Sequence, residues 1–294
     1  MPVISAIGKA KVNLTLDILG KRDDGYHELA TVMQSIALYD RLVIEPASDL
    51  SLELMLRSGV SKWLPNDDRN DVLRAARLLQ KRFGITSGAR IQLHKFIPTQ
   101  AGLGGGSADA AAALLGLNQH WQIGLSQADL LPLAMELGSD TPFMLVGGTA
   151  ICRGRGEIVQ PVSAALRKHL VLFKPPGGLS TSRVFQRMEL TQMGNCYTDR
   201  FIAAVDSKKD DPFDYMNNHL QDAAFRLLDE LRIFADLLQQ RGVRQWQMSG
   251  SGSTIFVVID EKEQAQQLRR ELTPPSWWSF VTRTVDCGAE LVLS

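Results

Sequence analysis

The run Pro98-Thr99-Gln100-Ala101-Gly102-Leu103-Gly104-Gly105-Gly106-Ser107-Ala108 constrains this chain more than any other. Four glycines in five positions are costly inside a regular element, because glycine loses the most backbone freedom on ordering. Residues 89–96 before the run alternate, with Ile91 and Leu93 on one side, and predict a strand. Residues 108–121 after it are rich in alanine and leucine and predict a helix. A glycine loop between strand and helix lets the backbone approach a ligand closely. The helix start adds unpaired N–H groups and the positive end of its dipole, so the unit favours an anion, phosphate above all. Ser107 then reads either as the cap of that helix or as a ligand to phosphate or magnesium. A tight, capped turn without a ligand is the plainer alternative. No Lys-Ser/Thr follows the last glycine, which excludes a P-loop. The G-x-G-x-x-G spacing fails as well, and neither Ser107 nor Ser251 lies in G-x-S-x-G.

Around this unit the chain reads as mixed helix and sheet. Val12, Leu14, Leu16 and Ile18 alternate with Lys11, Asn13, Thr15 and Asp17, the pattern of a half-buried strand that presents Lys11 and Asn13 on a polar face. A turn follows at residues 21–25, and residues 37–45 and 50–56 predict further strands. Residues 71–83 predict a helix with Val72, Ala75, Ala76 and Leu79 on one face, closed by Gly84. Ser126 is placed to cap another helix, which stops near Gly138. The character changes near residues 159–161, which divides the chain into 1–160 and 161–294. Beyond it, residues 219–241 predict one long amphipathic helix with a stripe of Leu220, Ala223, Ala224, Leu227, Leu231, Phe234 and Leu238. A second glycine-serine loop, Met248-Ser249-Gly250-Ser251-Gly252-Ser253, precedes a strand at 255–259, and residues 261–272 predict an exposed helix.

Formal net charge is +0, so a global basic surplus for nucleic acid or an anionic membrane is absent. The three cysteines, Cys152, Cys196 and Cys287, are far apart and lack a C-x-x-C spacing. They predict reduced thiols rather than a disulfide framework or a zinc site. No apolar run approaches the roughly 20 residues of a membrane span, and the opening residues lack the pattern of a signal peptide. The expectation is a soluble, cytoplasmic protein.

Two charged residues stand out as chemistry. Asp140, between Gly138-Ser139 and Thr141-Pro142, could be a fixed general base beside a stiffened chain. By itself it reads as well as an Asx-turn residue. Lys11 is by itself an ordinary strand lysine. Brought together beside a phosphate loop, the two would form a phosphoryl-transfer site.

Three segments in order, Ala10-Lys11-Val12-Asn13-Leu14, the glycine run from Pro98 to Ala108, and Met248-Ser249-Gly250-Ser251-Gly252-Ser253-Thr254, resemble the GHMP small-molecule kinases over nearly the whole chain. Arg22-Asp23-Asp24-Gly25-Tyr26-His27 and Leu137-Gly138-Ser139-Asp140-Thr141-Pro142-Phe143 narrow the resemblance to a cytidine-recognising branch. The resemblance implies an α+β two-domain fold: an N-terminal ATP-binding domain of the ribosomal protein S5 domain 2 type and a ferredoxin-like C-terminal domain, with the site between them. It implies phosphorylation of the 2-hydroxyl of 4-diphosphocytidyl-2-C-methyl-D-erythritol by ATP, with magnesium brought by ATP and no dedicated protein metal site. This is a step of non-mevalonate isoprenoid precursor biosynthesis. Lys11 and Asp140 would be catalytic, and residues 98–108 would bind ATP. Tyr26 would stack on the cytosine and His27 would hydrogen-bond it. Asn13, Lys95, Thr181 and Phe185 match further substrate-side positions, although Phe185 alone reads as core. Gln100 departs from the family, where glycine is common, and Asp109 varies to asparagine in relatives. Lys9 shares a strand face with Lys11, but the Lys-x-Asn-Leu register favours Lys11. The rival readings are a homoserine- or mevalonate-type kinase and a kinase-like sensor that binds without turnover. A monomer and a homodimer are both compatible with the sequence.

Overall fold

The computed structural model describes residues 2–57, 64–163, 166–188 and 196–292. Two long antiparallel strands, β1 (Ile4–Lys21) and β2 (His27–Ala47), form its spine. They are followed by β3 (Leu50–Leu56), α1 (Asp71–Phe83), β4 (Gly88–Lys95), α2 (Gly105–His120), α3 (Gln127–Leu137), α4 (Thr141–Val146), β5 (Thr149–Gly154) and β6 (Ile158–Pro161). The later half contributes β7 (His169–Lys174), α5 (Thr181–Arg187), α6 (Tyr197–Ser207), β8 (Asn217–Asn218), α7 (Gln221–Leu227) and α8 (Asp229–Gln240). It ends with β9 (Trp246–Met248), β10 (Ile255–Ile259), α9 (Lys262–Leu272), β11 (Trp278–Arg283) and β12 (Glu290–Val292).

The first sheet runs β12-β1-β2-β4-β3, with β5 on β2, β6 on β5 and β8 on β1. The second is an antiparallel four-stranded sheet, β11-β7-β10-β9. This is the two-part α+β architecture expected from the sequence. Two strands from the later half, β8 and β12, return to pair with β1.

The spine strand β1 differs from its sequence pattern. Its polar face is buried like its apolar face: Lys11, Asn13, Thr15 and Asp17 are all buried. Elements from the later half cover it. The Thr198 amide at the start of α6 donates to Asp17 Oδ2 at 2.8 Å, and the Thr15 and Thr198 hydroxyls lie 2.8 Å apart. The Asn13 amide donates to Ser249 Oγ at 3.2 Å. These bonds offset the desolvation of the polar row.

Helix α2 lies against the spine at unusually short range. Its residues Ala110, Ala111, Ala112 and Ala113 are all buried, and a Cβ on Gly8 would stand 2.1 Å from the Ala108 carbonyl oxygen. Small side chains on both elements allow that approach, which sets the N-terminus of α2 over β1. The single helix expected over 219–241 is two helices, α7 and α8. They are broken at Leu228, whose φ of −145° and ψ of 90° are extended. Neither proline nor glycine marks the break. Leu228 instead packs with the second core, beside Gly177, and the apolar stripe resumes three residues later at Leu231.

Candidate active site

The glycine loop is stitched to both other segments singled out in the sequence. The Lys11 amide donates to the Leu103 carbonyl at 3.1 Å, and the Thr254 amide to the Ala101 carbonyl at 3.1 Å. Ser249 Oγ donates to the Gly102 carbonyl at 2.8 Å. Gly102 and Gly104 adopt φ of 72° and 70°, the left-handed region that disfavours a side chain. Space forbids one too: a Cβ on Gly102 would meet the Ser249 carbonyl at 2.0 Å, and one on Gly104 would meet Met144 Cε at 2.1 Å. Gly104 is the N-cap of α2 and has no side chain to offer, and the Ala108 amide is the first to reach an intrahelical acceptor, the Gly104 carbonyl, at 2.9 Å. The amides of Gly105, Gly106 and Ser107 therefore have no acceptor within the helix. Ser107 is not the cap; it sits inside the first turn of α2 and lines the cleft.

Asp140 occupies the N-cap position of α4, yet its side chain makes no capping bond, which removes the Asx-turn reading. It faces Lys11 instead, Oδ2 to Nζ 3.5 Å, with the lysine buried and the carboxylate partly exposed to the cleft. Lys11 Nζ donates to Asn13 Oδ1 at 2.6 Å. That amide has one permitted orientation. Thr31 Oγ1 spends its only proton on the Thr15 carbonyl, at 2.5 Å, so it can only accept from Asn13 Nδ2, at 2.9 Å. The Asn13 carbonyl oxygen is thereby turned toward Lys11. Lys9, the alternative lysine, points elsewhere: its Nζ lies 2.8 Å from Glu290 and is bonded to the Cys287 thiol and the Gly288 carbonyl.

Lys95 lies under the loop, at the floor of the cleft. Its ammonium is fully buried between Asp40 and Asp109, 2.7 Å from Asp109 Oδ2. It stands 3.4 Å from where a Cβ on Gly105 would be. Asp40 is held further by the amides of Phe96 and Ile97, at 2.5 and 2.9 Å. Burial by itself would lower the Lys95 pKa, but the charges of Asp109 and Asp40 outweigh it and raise it. Burial pushes Asp109 well above the usual carboxylate range, against the pull of Lys95. The triad acts as a floor for the first turn of α2.

At the other end of the cleft, His27 stacks on Phe185, centroids 5.0 Å apart with 27° between planes. Burial, with the Lys21 charge adding to it, holds the His27 pKa below the ordinary histidine value. Tyr26 is exposed, with the Arg155 guanidinium 5.0 Å from its ring centroid. Thr181 Oγ1 lies 2.9 Å from Ser251 Oγ. Gln100 has a φ of 50°, a strained value for a residue with a side chain, and packs on Gly178. One cleft of about 1090 Å³ is lined by every residue singled out above for catalysis or binding except Ala108, which is buried behind the loop. Thr31 and Arg155 also line it. Neither was found from sequence, because an isolated threonine in a strand and an isolated arginine in a turn carry no motif.

Two family models match the chain: GHMP kinases N terminal domain over residues 70–148, and GHMP kinases C terminal over residues 207–274. The 4-diphosphocytidyl-2-C-methyl-D-erythritol kinase of Pelotomaculum thermopropionicum is 42% identical, over 96% of this chain and 98% of the relative. That of Shouchella clausii is 37% identical, over 88% of this chain and 86% of the relative. A crystal structure of 4-(cytidine 5'-diphospho)-2C-methyl-D-erythritol kinase superposes with a TM-score of 0.77 at 33% identity, covering 95% of this chain and 98% of that one. Homoserine kinase from Cytophaga hutchinsonii also reaches 0.77, over 99% and 98% of the two chains. At 18% identity that is a likeness of fold alone. The chain belongs to the GHMP kinases, a family of small-molecule kinases. Within them, its relatives at this identity and coverage place it in the 4-diphosphocytidyl-2-C-methyl-D-erythritol kinase family. Among the described residues no helix is long and apolar enough to cross a membrane.

Proposed function

We propose that this kinase transfers the γ-phosphoryl group of ATP to the 2-hydroxyl of 4-diphosphocytidyl-2-C-methyl-D-erythritol, in the cytoplasm, as a step of isoprenoid precursor synthesis. The observation that carries the reading is the Lys11–Asp140 pair, 3.5 Å apart, beside a glycine loop whose helix starts with three amides that have no acceptor within α2. In the proposed reaction the acceptor oxygen forms a bond to the γ-phosphorus while the bond from that phosphorus to the β,γ-bridging oxygen breaks and ADP leaves. Asp140 Oδ2 takes the hydroxyl proton. Lys11, turned by Asn13, offsets charge on the acceptor oxygen and the moving phosphoryl group. Amides from Gly104 to Ser107 hold the ATP phosphates, with residues 98–103 and Ala108 shaping the loop. Magnesium arrives with ATP as part of the substrate, since a small hard cation takes phosphate oxygens and water readily. Ser107 Oγ is an oxygen donor of the kind it accepts. Positioning and electrostatics supply most of the catalysis in such transfers.

The acceptor's cytosine is assigned to Tyr26, His27 and Phe185, with Thr181 and Asn13 lining its path. Lys95 supports the loop from below. The division at 160/161 into an ATP-binding half and a C-terminal half belongs to the same proposal. Release of ADP tests it, comparing 4-diphosphocytidyl-2-C-methyl-D-erythritol, homoserine and mevalonate as acceptors. Turnover with the cytidylyl compound alone is expected. Preference for either other acceptor reassigns the substrate, and binding without ADP release in every case makes the protein a sensor.

A further inference from the structure

We infer that Arg155 binds the diphosphate of the acceptor, fixing the stretch of substrate between the cytosine and the reacting hydroxyl. The inference rests on the acceptor proposed above. Arg155 lies in the turn between β5 and β6. Its neighbour Gly156 abuts the catalytic carboxylate: a Cβ there would stand 3.7 Å from Asp140 Oδ1. The Arg155 side chain runs the other way and puts its guanidinium 5.0 Å from the Tyr26 ring centroid. The Arg155-Gly156 pair thus spans from the proposed base to the proposed cytosine clamp. A substrate with its hydroxyl at Asp140 and its cytosine at Tyr26, His27 and Phe185 must carry its two phosphates across that interval.

The chemistry suits the position. A guanidinium presents several N–H donors in a fixed plane and matches phosphate oxygens two at a time. Among the described residues the Arg155 guanidinium makes no hydrogen bond. Its nearest carboxylate oxygen is on Glu157, 4.0 Å from Nε, and that side chain already accepts the Arg155 amide at 2.6 Å. Across the cleft mouth stands a second cation, Lys21, paired in register with His27. Of the nearby carboxylates, Asp24 and Glu28 both pair with Arg22, at 3.2 and 2.6 Å, and the Arg155 charge also acts on Asp24. Arg155 and Lys21 are thus two cations lining this end of the cleft whose side chains hydrogen-bond no carboxylate among the described residues.

The test is calorimetric titration of cytidine diphosphate and of cytidine, with the ATP loop filled by a non-hydrolysable ATP analogue. It uses the wild-type chain, Arg155→Ala and Arg155→Lys. Arg155→Ala is expected to weaken cytidine diphosphate about tenfold and cytidine less than about twofold, the size of a lost charge-assisted hydrogen bond. Arg155→Lys is expected to restore part of the loss. The KM for the acceptor should rise in parallel with the diphosphate loss. Equal weakening of both ligands would mean that Arg155 serves only the Tyr26 ring and would overturn the inference, as would unchanged binding of cytidine diphosphate. A wild-type chain that binds neither ligand would instead overturn the acceptor assignment itself. Normal cytidine binding with no added affinity from the diphosphate would overturn the Arg155 role alone.

Discussion

Asp140 has no cap to serve and a lysine to face, the setting that the proposed base needs. Asp140→Asn should keep the fold and lose about 10²–10⁴-fold in kcat, the usual worth of a general base; preserved ADP release would remove it from that role. Thr31 acts one bond further out. Thr31→Val deletes the hydroxyl that orients the Asn13 amide, and through it Lys11. We expect a fall of about fivefold in kcat, the scale of one neutral hydrogen bond, with little change in either KM and recovery in Thr31→Ser. An unchanged kcat would show that Asn13 needs no such guide. His27 makes a pH prediction. Burial keeps its pKa below the ordinary value, so at pH 7 the ring is neutral, with one donor and one acceptor. Protonation converts the acceptor to a donor. The KM for the cytidylyl acceptor should therefore be flat above about pH 6.5 and rise as pH falls through the lowered pKa. A KM flat through that fall would count against His27 as the cytosine partner.

At the scale of elements, the glycines decide how closely α2 approaches β1. Gly8→Ala would drive a Cβ into the Ala108 carbonyl. Separating strand from helix should cost about 1–3 kcal/mol, as overpacking does, read as a lowered denaturant midpoint. Gly104→Ala combines a left-handed φ with a clash on Met144 and touches the proposed ATP side of the cleft. It should raise the KM for ATP as well as lower stability, whereas Gly8→Ala acts first on stability. The fully covered β1 and the break at Leu228 share one lesson. Alternation and helical stripe specify which side chains lie together on an element. They do not say whether a second layer covers the other face, or whether a long stripe is bent between two packing partners.

For the molecule as a whole, the crossing strands matter most. β12 pairs with β1 through Ser5, Ala6 and Ile7, and β8 pairs with it at Thr15 and Leu16. The later half thus completes the first sheet, and the buried polar face of β1 has its partners in Thr198 and Ser249. Thermal unfolding should therefore show one transition, and a fragment of residues 1–160 should lack a stable fold by circular dichroism. Two separate transitions, or a folded fragment, would show that the halves are independent.

The sequence by itself determined the loop, the helix behind it and the class of chemistry, because glycine conformations, alternation and helix propensity are local properties. It also carried Lys11, Asp140 and the Tyr26-His27 pair, since those sit in motifs whose order along the chain is diagnostic. Only the tertiary structure decided that Lys11 and Asp140 meet, that Lys95 is buried between Asp40 and Asp109, and that Thr31 and Arg155 line the cleft. Each of those facts depends on residues far apart in the chain, whose approach is set by packing between layers, and no local pattern encodes such a distance.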